Sequence, residues 1–97
     1  MAIESIMKSE DAEKIVHFLA ENENYGKKFA PYGIYKSLKE GGLTIYSTQI
    51  NKILSMLVVA HKEIFGFEEI SKNNYFWIKA DVKPFKIWFK EWFGKDF

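Results

Sequence analysis

The sequence predicts a small α+β domain that is mostly helical: three helices, a β-hairpin and a closing aromatic helix. Three observations carry this prediction. Apolar residues recur at helical spacing in three separate segments before His61. The period then changes, and EIFGFEEI and YFWIKAD, rich in aromatic and β-branched residues, are separated by the polar SKNN. Finally, PFKIWFKEWFGKDF sets Phe85, Trp88, Phe89 and Trp92 at i, i+3, i+4 and i+7, with Lys86, Lys90 and Glu91 elsewhere.

The first helix is expected over Ser9–Glu21. Ser9 suits the N-cap, and Glu10, Asp11 and Glu13 occupy the first turn, where the helix dipole favours anions. Ala12, Ile15, Val16 and Leu19 form its apolar stripe, and ENENYG supplies the stop. A second helix is expected over Pro31–Glu40, with Pro31 at its first position, Ile34 and Leu38 as core pair, and Gly41-Gly42 as terminator. A third runs from Ser47, read as its N-cap, to about His61, with Ile50, Ile53, Leu54 and Leu57 facing the core. At about 100° per residue, Thr48, Lys52, Ser55 and Val59 face away, flanked by Gln49, Asn51 and Met56. The hairpin is expected over about Ile64–Asp81, turning at Ser71–Asn74 with positive φ at an asparagine. Pro84 is read as the start of the last helix.

A chain of 97 residues has room for one domain. It has no cysteine, which excludes disulfides and thiolate chemistry, and no arginine: all 14 basic residues are lysine. Arginine is the usual bidentate reader of guanine and phosphate, so any nucleic acid must be held by lysine and amide groups. The abundance of Phe, Tyr, Ile, Asn and Lys points to an AT-rich coding genome, prokaryotic or viral. The N-terminus has no signal-peptide core and no apolar run spans a bilayer, so a cytoplasmic protein without a membrane partner is expected. The net charge of +1 is uneven. Residues 1–30 carry four lysines against six acids, residues 31–62 four against one, and residues 63–97 six against six.

Three helices followed by a hairpin resemble the winged helix-turn-helix family over roughly Glu10–Asp81. The most specific strings are IYKSLKEGGLTIYSTQINKILSML for the helix-turn-helix and FGFEEISKNNYFWIKAD for the wing. The resemblance implies that the third helix enters the major groove of double-stranded DNA, with Thr48, Gln49, Asn51, Lys52 and Ser55 as its contacts. Their chemistry suits the role independently: Asn and Gln pair with adenine, Lys reaches guanine acceptors, and Thr offers a methyl to thymine. By the same resemblance Lys72, Asn73 and Asn74 at the wing tip meet backbone or minor groove, and Tyr32, Lys36 and Lys39 meet phosphates. The implied function is a transcriptional regulator, phage, viral or plasmid encoded.

A competing expectation is a protein-interaction module of the same fold, docking on a host or partner enzyme. No nucleophile–base grouping or phosphate loop is present, so no enzymatic activity and no cofactor are expected. His17 has Glu13 and Glu21 one turn away on either side, which reads as a surface ion pair, not a metal site. The stripe Phe85, Trp88, Phe89 and Trp92 has three readings: pairing with its twin in a homodimer, packing on its own core, or meeting a membrane or another partner. Pairing is the leading expectation, because binding two half-sites strengthens a weakly basic reader.

Overall fold

The computed structural model describes residues 3–97. Residues 1 and 2, part of the N-terminal segment without a signal-peptide core, lie outside the described residues. The order is α1 (Ile3–Met7), α2 (Glu10–Ala20), α3 (Pro31–Leu38), α4 (Ser47–Ala60), β1 (Phe65–Ile70), β2 (Asn73–Ile78) and α5 (Val82–Phe93). The α+β, mostly helical architecture expected from the sequence is therefore present, with one additional short helix, α1, at the N-terminal end.

Ser9 is the N-cap of α2, as its position predicts. Its hydroxyl accepts from the Ala12 N–H at 3.1 Å and donates to the Ile6 carbonyl at 2.8 Å, joining α1 to α2. The ENENYG stop works through Asn24, whose amide donates to the Phe18 carbonyl at 2.8 Å, and through Gly26 at φ +79°. Helix α3 starts at Pro31 but ends at Leu38, two residues short of Glu40. Lys39–Gly41 tighten into a 3-10 turn that Gly42 closes at φ +93°.

The N-cap of α4 is Tyr46, not Ser47. The reason is Gln49: its side-chain Oε1 accepts the Tyr46 N–H at 2.8 Å, the half of a capping box that only the residue three positions before Gln49 can receive. Ser47 becomes the first helical residue. Ile50, Ile53, Leu54 and Leu57 are all buried, as their spacing requires. Asp11 on α2 fixes the approach to α4, accepting from the Thr44 hydroxyl at 2.8 Å.

Strands β1 and β2 pair antiparallel, with Phe65 opposite Ile78 and Ile70 opposite Asn73. That register leaves a two-residue turn, Ser71-Lys72, with φ of 50° and 68°. The positive φ expected at an asparagine thus falls on Ser71 and Lys72, and Asn73 and Asn74 belong to β2. Phe65, Phe76 and Ile78 face the core. On the other face Trp77 lies across Gly66, where an added Cβ would collide with the indole ring. Phe29, between α2 and α3, exchanges two backbone hydrogen bonds of 2.9 Å with Phe76 and adds a one-residue third strand.

Helix α5 starts at Val82, earlier than Pro84, and ends at Gly94 with φ +75°. Phe85, Trp88 and Phe89 are buried within the single chain, and Trp92 is half-buried. The stripe expected to pair with a twin is consumed by the chain's own core. Trp92 donates its indole N–H to the Met7 carbonyl at 3.0 Å, tying α5 to α1. Burying two whole phenylalanines contributes about 3–6 kcal/mol, so α5 is part of the folding unit. His61, just after α4, sits against Trp88 and Trp92 at ring distances of 5.3 and 4.4 Å.

Candidate nucleic-acid interface

The outer face of α4 divides into two halves. The first half is polar: Thr48, Gln49 and Lys52 are exposed, and Asn51 is half-buried. The second half is apolar: Val59 is 81% exposed, and Ser55, Met56 and Ala60 share a shallow groove of about 540 Å³ with it. Phe67 of β1, 45% exposed, extends that groove past Ser55, Val58 and Val59.

Several of the residues expected to contact DNA are engaged inside the chain. Gln49 holds the Tyr46 N–H. Asn51 accepts from the Asn74 amide at 2.9 Å, so two expected contact residues are brought together, one from α4 and one from the hairpin. Ser55 is half-buried in the apolar groove. Thr48 and Lys52 remain exposed on the helix, and Asn73 and Lys72 are exposed at the hairpin end. Lys36 on α3 and Lys39 on the 3-10 turn are exposed too.

Among the described residues, Lys14, Lys28, Lys90 and Lys95 each hold an ion pair with an acid. None of Lys36, Lys39, Lys52 and Lys62 does, and Glu40 is the sole acid of residues 31–62. The positive balance of this segment is therefore not neutralised internally. The hairpin differs. Glu68 is paired with Lys28 at 2.6 Å, but Glu69 stands opposite Asn74 on the face turned toward α4. A carboxylate there repels phosphate, so the tip residue Lys72 is the hairpin's available cation.

Sequence reading placed Tyr32 at phosphates but missed the aromatic flank to which it belongs. Tyr32, Tyr35 and Tyr46 form a ladder with ring centroids 6.3 and 5.8 Å apart, and Lys36 reaches over the Tyr32 ring at 5.7 Å. The signal was available: Tyr32, Tyr35 and Lys36 fall at i, i+3 and i+4, but Tyr46 joins them only through the packing of α3 on α4.

His17 pairs with Glu13 at 3.7 Å, as expected, and also stacks on Phe97 at 4.7 Å. Burial holds the His61 imidazole below its ordinary range, with Glu63 pulling weakly the other way. The His61 Nε2 and the Trp88 Nε1 are buried without hydrogen-bond partners among the described residues. No three metal-ligating side chains converge among those residues, and no helix is long and apolar enough to cross a membrane.

Compared with protein-family models, curated proteins and solved structures, the chain matches none of them.

Proposed function

We propose that this protein binds double-stranded DNA as a winged-helix transcriptional regulator. The unneutralised lysines of residues 31–62 carry the reading: Lys52 lies exposed on the polar half of α4, while Lys36 and Lys39 lie on the preceding helix and turn. The element order adds support. Helices α2, α3 and α4 followed by the β1–β2 hairpin run in the order on which the resemblance rests. In this reading Thr48 and Lys52 face base edges, and Lys36, Lys39 and Lys72 hold phosphates. Asn51 and Asn74 orient the hairpin, and Gln49 orients the helix start. Two-fold pairing of chains on DNA would use a face other than the buried stripe of α5.

A second reading rests on the apolar half of α4. Half-exposed Met56 and exposed Val59 and Phe67 line two adjoining apolar grooves that share Val59, a surface of the kind that docks on a partner protein, such as an enzyme that the chain would modulate.

Amide chemical-shift mapping with an AT-rich duplex separates the two readings. DNA binding predicts shifts at Thr48, Lys52, Lys36, Lys39 and Lys72. A spectrum unchanged by duplex at low salt removes the DNA reading and leaves the apolar surface as the functional face.

A further inference from the structure

Tyr32 and Tyr46 are 62% and 67% exposed in a chain that buries Phe65, Phe76, Phe85 and Phe89 almost completely. With the half-buried Tyr35 between them they make an aromatic face on α3 and at the start of α4, outside the major-groove side chains of the reading above. We propose that this face binds single-stranded DNA by stacking its bases on the tyrosine rings. The proposal goes beyond the duplex reading and does not depend on it.

Three features favour this occupant. Every base presents a π-face, so a row of exposed rings takes single strands with little sequence preference. The ring spacings of 6.3 and 5.8 Å are nearly twice the step of about 3.4 Å per nucleotide along a duplex strand. The ladder therefore matches bases that have separated from one another, as they do in an unpaired strand. Its rings are tilted by 33° and 44°, so they are not stacked face to face on one another. Finally, Lys36 lies over the Tyr32 ring at 5.7 Å and Lys39 follows within a turn, neither in an ion pair among the described residues. Phosphates following the bases would meet these cations. A proline-rich peptide also docks on aromatic rows, but a neutral peptide makes no use of the lysines.

The test is a fluorescence anisotropy titration of the full chain with a labelled oligothymidylate, set beside a duplex and a proline-rich peptide. Tyr32→Ala and Tyr46→Ala should each weaken oligothymidylate binding about tenfold. Tyr32→Trp should retain it, and Lys52→Ala should weaken duplex binding while leaving the single strand bound. Both tyrosines are exposed, so their variants should keep the wild-type melting temperature. Absence of oligothymidylate binding by the wild type would overturn the proposal, as would full binding by both alanine variants. Peptide binding lost in Tyr32→Ala, without single-strand binding, would reassign the face to a peptide. Loss of duplex binding alone would remove the duplex reading and leave this one standing.

Discussion

The side-chain amide of Asn74 on β2 donates to the side-chain oxygen of Asn51 on α4 at 2.9 Å. This bond fixes the hairpin against the helix that carries Thr48 and Lys52, so the two elements present one surface. Both residues are half-buried, and truncating either strands a polar partner. Asn74→Ala should cost about 1–2 kcal/mol in urea unfolding. A double-mutant cycle with Asn51→Ala should return a coupling energy of about 0.5–1.5 kcal/mol.

Glu69 faces α4 beside this bond, opposite Asn74. If duplex DNA lies along that side, the carboxylate opposes it. Glu69→Gln should raise duplex affinity about two- to fivefold at low salt, with the gain shrinking as salt is added. Glu68→Gln should do less, because Lys28 already neutralises Glu68.

The Ser71-Lys72 turn holds two residues at positive φ without a glycine or asparagine at either position. Replacing the pair with Asn-Gly matches the two-residue hairpin geometry. Stability should rise by about 1 kcal/mol, or about 4–8 °C in melting temperature. Because Lys72 is also the proposed tip cation, the same variant should bind duplex more weakly. The two effects move in opposite directions, which a purely structural role for Lys72 does not predict.

His61 gives the fold an acid limit. Burial lowers its folded pKa below 6.5, so the unfolded chain binds a proton more readily in that range. Its neutral form is compatible with full stability above pH 6.5, and stability should fall as the pH drops from there toward the lowered folded value. Glu63 opposes the shift and softens it. Urea midpoints measured from pH 7.5 to 5 should decline for the wild type, and a His61→Leu variant should lose the part of the decline that His61 protonation causes.

Much of the fold is legible in the sequence where period and local chemistry agree. The stripe Ile50, Ile53, Leu54 and Leu57 is buried as its spacing requires, and Ser9 caps α2. The failures have physical causes. Ser47 looks like the cap of α4, but its third following residue is Ile50, which cannot return a hydrogen bond; Tyr46 has Gln49. Helix α1 is five residues long, too short to show a period, and is placed by packing on α4 and by Trp92. The position of the hairpin turn follows from the burial of Phe65 against Ile78, which no local turn rule contains. The aromatic stripe of α5 is plain in the sequence, yet its pattern is the same whether it covers its own core or a twin. For the candidate site, exposure of Thr48 and Lys52 follows from helical phase. The engagement of Gln49 and Asn51 depends on a cap and on a long-range contact.

The central claim is that α4 presents its lysine-bearing first half to duplex DNA. The most direct measurement is the salt dependence of anisotropy with a random AT-rich duplex, for the wild type and Lys52→Ala. About three lysine–phosphate contacts, from Lys36, Lys39 and Lys72, predict a log–log slope near −2.7, and Lys52→Ala should weaken binding by about fivefold or more. No wild-type binding at low salt, or a Lys52→Ala variant indistinguishable from wild type in affinity and slope, would contradict it.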